Sequence, residues 1–195
     1  MDLNYKVVNI FPSSIHSLGI DNFDDYKDQL IKETYQERDK DPIGRRVSNR
    51  GGWQSSLTNI RNCKSETLND IIVSSVSKLP ILKGVAAAVS GWKNINGPGD
   101  FNVIHSHPKS HLSGVLWIKT PENSGNLMLY DPRPGTHMSM PNRTDGKLPP
   151  ELWREVQYSP KAGTCIIFPS WLWHEVKPNQ SSDTRISVSF NFLQR

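Results

Sequence analysis

Cysteine is scarce in this chain of 195 residues. The two cysteines, Cys63 and Cys165, lie far apart and form no C-x-x-C pair. A disulfide framework or a cysteine-based zinc site needs more cysteines at closer spacing. We therefore expect two free thiols in a reducing compartment.

The chain also lacks a long apolar run, a signal-type N terminus and a concentrated basic patch. The first residues, M-D-L-N-Y-K-V-V, have neither the basic start nor the apolar stretch of a signal peptide. The net charge is +4, yet the only tight basic pair is Arg45-Arg46, whereas a nucleic-acid-binding face concentrates its cations. We expect a soluble cytoplasmic protein with no membrane partner, and we disfavour a nucleic-acid partner.

The N-terminal part of the chain carries helical patterns. Its length suits a single domain over residues 1–195, with helical support over about 20–80. Residues 5–11 alternate as in a strand, a helix is expected to begin near Asp21, and residues 37–56 read as a loop. A second helix is expected from Ser65 to Leu79, stopped by Pro80. The apolar stripes of the two helices are Phe23, Tyr26, Leu30 and Ile31, then Leu68, Ile71, Ile72, Val76 and Leu79.

From Gly84 onward, short strand-like runs alternate with Gly-Pro turns. The runs include V-A-A-A-V-S-G-W, F-N-V-I-H-S-H, L-S-G-V-L-W-I-K, N-L-M-L-Y, T-C-I-I-F and R-I-S-V-S-F-N-F. This order predicts a mainly β protein of the α+β class. The core, over about 84–195, would be a β-sandwich or jelly roll with the helices packed on one sheet.

Three of the six histidines fall within seven residues, at His105, His107 and His111. Side chains two apart on a strand point the same way, so His105 and His107 can bind one metal ion. His174, in F-P-S-W-L-W-H-E-V, offers a third imidazole from another strand. Two ligands on one strand and one from a distant strand are typical of non-haem Fe(II) oxygenases, which keep positions open for cosubstrate and dioxygen.

Arg185 opens the last strand run, and Ser187 shares its face. A guanidinium beside a hydroxyl is suited to holding the far carboxylate of a dicarboxylic acid.

Residues 92–192 resemble the 2-oxoglutarate/Fe(II)-dependent oxygenases related to prolyl hydroxylases. Five segments carry the resemblance: W-K-N-I-N-G-P-G-D-F-N-V-I-H-S-H-P, L-S-G-V-L-W-I, Y-D-P-R, P-K-A-G-T-C-I-I-F-P-S-W-L-W-H-E-V and R-I-S-V-S-F-N-F. The resemblance implies a double-stranded β-helix fold of the cupin-like kind, with Fe(II) and 2-oxoglutarate as cofactor and cosubstrate. It implies His105 and His174 as iron ligands and Arg185 with Ser187 as the 2-oxoglutarate anchor. Trp117 falls where prolyl-hydroxylase-like members have a tyrosine, and its indole N–H can donate to the same carboxylate.

His107 departs from the family pattern, which has Asp or Glu two residues after the first histidine. We take His107 as the third ligand, with Asp100 or Asp131 as the alternative source of a carboxylate. A neutral imidazole in place of a carboxylate leaves the metal more positive.

The expected activity is hydroxylation of an unidentified substrate with decarboxylation of 2-oxoglutarate to succinate. The alternative is a non-catalytic cupin-like domain that holds zinc or a small ligand on the same histidines. A small-molecule or peptidyl substrate and dioxygen are the expected partners, and a homodimer is one open oligomeric state. Specificity is expected in the loops Arg45–Ser56 and Pro132–Thr144, while His111, His16 and His137 receive no role.

Overall fold

The computed structural model describes residues 4, 6, 8–79, 87–135, 138 and 146–194. Within them the chain forms two α-helices, two short 3₁₀ turns and twelve β-strands. The helices and strands, in chain order, are β1 (His16–Gly19), α1 (Asp24–Lys40), β2 (Asn49–Arg50), β3 (Trp53–Gln54), β4 (Thr58–Asn59), α2 (Glu66–Ser77), β5 (Ala87–Asn96), β6 (Phe101–His105), β7 (Leu112–Lys119), β8 (Leu127–Tyr130), β9 (Glu155–Tyr158), β10 (Thr164–Pro169), β11 (His174–Val176) and β12 (Arg185–Gln194).

Both helices have local signals that account for their ends. α1 has Asp24 and Asp25 in its first turn and Arg38 and Lys40 in its last, and this charge order complements the helix dipole. α2 begins after Ser65, whose hydroxyl accepts the Leu68 backbone N–H at 3.2 Å. These two helices confirm the expected helical support.

The described strands form two antiparallel sheets. The larger has seven strands in the order β1-β10-β7-β12-β5-β3, with β4 also pairing with β5. The smaller has five strands in the order β2-β6-β11-β8-β9. The longest pairing joins β12 to β5, from Arg185 opposite Asn96 to Gln194 opposite Ala87.

The larger sheet buries apolar side chains on both of its faces. Along β7, Leu116 and Ile118 join the core cluster that includes the helical residue Leu68. Val115 and Trp117 alternate with them and join a second cluster between the two sheets. Full burial of a side chain of this size contributes roughly 1.5–3 kcal/mol. The helices therefore cover one face of the sheet, and the other face encloses the interior where the candidate site lies.

Several element boundaries differ from the sequence-based expectations. The strand expected at 5–11 is wrong over its described residues, since 6 and 8–11 are not in a strand and Phe11 has a φ of 57°. Residues 5 and 7 lie outside the described residues, as do Pro80 and 81–86. The region 37–56 is not all loop, because α1 continues to Lys40 and the two-residue strands β2 and β3 follow it.

The short strands β1, β4 and β9 were not anticipated. Their apolar alternation covers only two to four residues, and pairing with neighbouring strands gives them their extended form. Within the described part of the chain, no helix has the length and apolar character needed to cross a membrane.

Candidate metal centre and cosubstrate pocket

The three histidines of the predicted cluster come together at one end of the smaller sheet. β6 and β11 are antiparallel neighbours, and their register sets His105 directly opposite His174. β6 ends at His105, so the strand expected to reach His107 is two residues shorter than predicted. The backbone N–H of His107 instead donates to the Ser170 carbonyl at 2.8 Å, which ties the segment after β6 to the segment before β11.

The imidazoles are close enough to share one metal ion. Ring centroids are 4.9 Å apart for His105 and His107, 4.3 Å for His105 and His174, and 5.0 Å for His107 and His174. One nitrogen from each ring lies within 4.8 Å of the others. This spacing is compatible with three nitrogens around a single ion after small side-chain adjustments.

Backbone carbonyls select the tautomer of two of the rings. Nδ1 of His105 lies 2.6 Å from the Val103 carbonyl oxygen, and Nδ1 of His174 lies 2.8 Å from that of Leu172. A carbonyl oxygen can only accept, so in each ring Nδ1 carries the hydrogen. The Nε2 lone pairs therefore remain for a metal, as in metal sites where a carbonyl orients the ligating imidazole.

Burial keeps all three imidazoles neutral. Desolvation, with a smaller contribution from the His105 charge, lowers the pKa of His107 to about 4 and that of His174 to about 3. Burial also lowers the pKa of His105. Neutral imidazole is the form that binds a metal, so the donor set suits a divalent ion such as Fe(II) at neutral pH.

No carboxylate joins this cluster in the part of the chain that the structure describes. Asp100, one alternative ligand, accepts the Gly97 backbone N–H at 2.7 Å. Asp131, the other, forms an ion pair with Arg133 at 2.8 Å. Both carboxylates serve other contacts, so the geometry favours His107 over either of them.

Arg185 lies deep in the interior that the histidines face. It is 1% exposed, and its Nη1 donates to the carbonyls of Ser124, Gly125 and Lys177. No described carboxylate forms an ion pair with it, and its Nε has no hydrogen-bond acceptor. Burial lowers the pKa of Arg185 to about 10, so the guanidinium is still charged at neutral pH. The Asp100 charge partly offsets this desolvation without a direct contact, so an anionic ligand would compensate the buried cation further.

Ser187 and Trp117 lie next to that guanidinium. Ser187 is paired with Trp117 across β12 and β7, and the Arg185 guanidinium carbon lies 5.9 Å from the centre of the Trp117 ring. Trp117 is fully buried, and its indole N–H has no acceptor. These three side chains and the three histidines line one interior cavity.

The histidines to which we gave no role stay outside the cluster where they are described. His111 is exposed, and His16 lies in β1, in the other sheet. His137 lies outside the described residues. Trp171 and Trp173 next to His174 are about half exposed.

Sequence reasoning missed two aromatic neighbours of the cluster. The Trp92 ring lies 5.6 Å from that of His107, and the Phe168 ring lies 4.8 Å from that of His174. Both residues are in segments that we quoted for the family resemblance. Their contacts depend on the packing of the two sheets, which the sequence pattern does not reveal.

The fold is that of 2-oxoglutarate-dependent non-haem iron enzymes, and the histidine cluster could hold the metal. The model of a family described as "Putative 2OG-Fe(II) oxygenase" matches residues 90–191, more than half of the chain. The chain belongs to this family. It is a 2-oxoglutarate- and Fe(II)-dependent oxygenase, and the expectations for its fold, its enzymatic nature and its cofactors are confirmed.

Solved structures share the fold at low sequence identity. A Pseudomonas putida prolyl-4-hydroxylase is 18% identical, with a TM-score of 0.63 and 94% of each chain covered. The epimerase SnoN in complex with Fe³⁺, α-ketoglutarate and nogalamycin RO is 13% identical, with a TM-score of 0.62 over 93% of this chain and 79% of that one. A Trichoplax adhaerens prolyl hydroxylase, in complex with a hypoxia inducible factor peptide fragment, is 14% identical, with a TM-score of 0.60 over 92% and 83%. No curated protein matches the chain.

Proposed function

We propose that this oxygenase hydroxylates a C–H bond of an organic substrate while 2-oxoglutarate is decarboxylated to succinate. The observation that carries the proposal is one cavity with three neutral imidazoles and a buried guanidinium that forms no direct ion pair among the described residues. A purely structural metal site has no use for such an anion site, whereas a dicarboxylic cosubstrate needs both.

His105, His107 and His174 would hold the iron. When bound, Fe(II) supplies the activation of dioxygen, with 2-oxoglutarate as co-reductant, so that one oxygen atom enters succinate and the other enters the product. The chain's own contribution is to present three neutral nitrogens and to keep two of the rings oriented through the Val103 and Leu172 carbonyls.

Arg185, Ser187 and Trp117 would bind the far carboxylate of 2-oxoglutarate. The free Nε–H of Arg185 and the free indole N–H of Trp117 are two unused donors in a water-poor interior. The Ser187 hydroxyl can supply a third. Charge-assisted hydrogen bonds of this kind are stronger than neutral ones, and here they also neutralise a buried charge.

The substrate can be a small molecule or a peptidyl side chain, and dioxygen is the second cosubstrate. A single domain over residues 1–195, a cytoplasmic location and a homodimeric state stay predictions. The same holds for the absence of a nucleic-acid partner.

The direct test is turnover of carboxyl-labelled 2-oxoglutarate. Iron-loaded protein exposed to dioxygen is expected to release labelled carbon dioxide and form succinate in equal amounts. The His174→Ala variant should form neither product, while His111→Ala, which alters an exposed histidine outside the cluster, should match the parent. If 2-oxoglutarate binds the iron-loaded protein but is recovered unchanged after long exposure to dioxygen, the proposed reaction is wrong.

A further inference from the structure

A second cavity lies beside the metal-binding cluster, and Arg185 is not among its lining residues. It measures about 380 Å³, a size that suits a small organic ligand. His105 and His107 line its inner end, and Trp92 lines both this cavity and the interior cavity of the candidate cosubstrate site. A molecule held here would lie next to the metal without occupying the 2-oxoglutarate pocket. We call this space the mouth cavity.

The walls of the mouth cavity carry positive charge and no described acidic group. Residues 42–65 and 101–121, which supply most of these walls, contain no Asp or Glu. Arg45 lines the cavity, is exposed, and forms no ion pair with a described carboxylate. Because His107 replaces a carboxylate at the metal, the centre itself also lacks the usual negative ligand. The charge of the cavity walls therefore favours binding of an anion next to the metal.

The segment that carries Arg45 is held in place by backbone and partly buried side-chain hydrogen bonds. The backbone N–H of Arg45 donates to the Gln54 carbonyl at 2.8 Å. The Asn49 side chain, 5% exposed, accepts the Val47 N–H at 2.8 Å and donates to the Arg45 carbonyl at 3.2 Å. This wall is thus preformed, which reduces the entropy lost when a ligand binds.

Apolar surface completes the cavity. The Trp92 ring forms a flat wall next to His107, and Val47 and Leu57 contribute side chains that are more than half exposed. Such a surface loses contact with water when it is covered by an apolar or aromatic ligand body. The Arg45 guanidinium is opposite in charge to a carboxylate and can form two parallel hydrogen bonds to it.

We infer that the mouth cavity is the substrate subsite, and that the substrate is a small carboxylic acid with an apolar or aromatic body, its carboxylate bound by Arg45. The inference rests on the proposed function, since it takes the three histidines as the iron ligands. It narrows the choice between small-molecule and peptidyl substrates to the former. It also makes Arg45 a specificity-determining residue.

The test compares two probes that share an aromatic ring and differ in charge. Phenylacetate carries the carboxylate, and phenethylamine carries an ammonium. Each is added to protein loaded with Mn(II) and saturated with 2-oxoglutarate, so that the cosubstrate pocket is filled. Paramagnetic broadening of the probe's proton NMR signals reports that it binds near the metal.

We expect phenylacetate to be broadened strongly and phenethylamine weakly. Arg45→Gln should weaken phenylacetate binding about tenfold, at the low end for a charged hydrogen bond because Arg45 is exposed. Arg46→Gln, the matched loss of a neighbouring exposed arginine that does not line the cavity, should leave binding unchanged. Equal broadening of both probes, no broadening of either, or equal effects of the two variants would overturn the inference.

Failure of the proposed function would look different. In that case Mn(II) or 2-oxoglutarate would fail to bind the parent protein, whatever the two probes do. Retained binding of both, with no preference for phenylacetate, would count against the subsite alone.

Discussion

Replacing Arg185 with leucine should separate cosubstrate binding from metal binding. Arg185 is the one permanent cation among the described residues that line the interior cavity. Its loss would remove the partner of the far carboxylate but touch none of the three histidines. Removing one member of a buried charge pair costs about 2–5 kcal/mol. We expect a loss of binding free energy near the lower end of this range. Burial of the charged guanidinium is already costly, as its pKa of about 10 shows, and leucine removes that cost.

A loss of about 2 kcal/mol corresponds to a roughly thirtyfold higher Kd for 2-oxoglutarate. The assay is calorimetric titration of 2-oxoglutarate into Mn(II)-loaded protein without dioxygen. Metal content should stay at the parent level. Arg38→Leu is the matched control, because Arg38 lies on α1, partly exposed and paired with Asp39 at 3.2 Å. It should leave the Kd unchanged.

Arg185→Lys provides a second variant if the leucine variant folds poorly, since three backbone carbonyls lose their donor in the latter. Lysine keeps the positive charge but cannot form the two parallel hydrogen bonds of a guanidinium. We therefore expect a Kd for 2-oxoglutarate between those of the parent and Arg185→Leu. Ser187→Ala should weaken binding more mildly than Arg185→Leu. If Arg185→Leu binds 2-oxoglutarate as tightly as the parent, the acid is held elsewhere and the assignment of this pocket is wrong.

The remaining predictions concern the histidine cluster. His174→Ala should abolish retention of Fe(II) on a desalting column, whereas His111→Ala should retain it, and equal losses would mean that the third ligand is misassigned. His107→Asp should still bind the metal because it restores the usual carboxylate, while His107→Ala should bind it much more weakly; parent-like metal content in His107→Ala would show that this ring does not coordinate. In the metal-free protein the pKa of His107 is about 4 and that of His174 about 3, below the value of about 6.5 for an unfolded imidazole. Below about pH 6.5 the unfolded chain therefore binds more protons than the folded chain, so the Tm of the metal-free protein should fall between pH 7 and pH 4. The fall should be less steep in His107→Ala, which has one buried imidazole fewer. A Tm that does not change across this range would contradict the buried, neutral state of these rings.

Much of the candidate site could be predicted from the sequence because His105, Arg185 and Ser187 lie on strands with local signals. The alternation in F-N-V-I-H-S-H and the paired positions of Arg185 and Ser187 are local patterns, and the strands that carry them are long or strongly apolar. His107 still lies outside its expected strand, and a backbone bond to Ser170 holds its segment instead. That bond joins distant parts of the chain and has no local signal.

The walls of the mouth cavity could not be predicted either, because they depend on contacts between distant parts of the chain. The region 37–56 was predicted as a loop, with specificity expected in Arg45–Ser56, but its polar, glycine-containing sequence gave no sign of β2 and β3. Those strands form because Asn49 and Trp53 find partners on β6 and β5. The strand predicted over residues 5–11 was wrong over its described part because its apolar alternation finds no neighbouring strand there. Over the described residues before His16, nothing pairs with it.

The proposed centre has Fe(II) on the three histidines and 2-oxoglutarate beside it. Anaerobic titration of the iron-loaded protein with 2-oxoglutarate, followed by visible absorption, tests it most directly. We expect a weak, saturable band of the kind that a 2-oxo acid gives on binding Fe(II), and this band should be absent in His174→Ala. If iron binds the parent protein but gives no such band under saturating 2-oxoglutarate, then 2-oxoglutarate does not bind the iron as proposed.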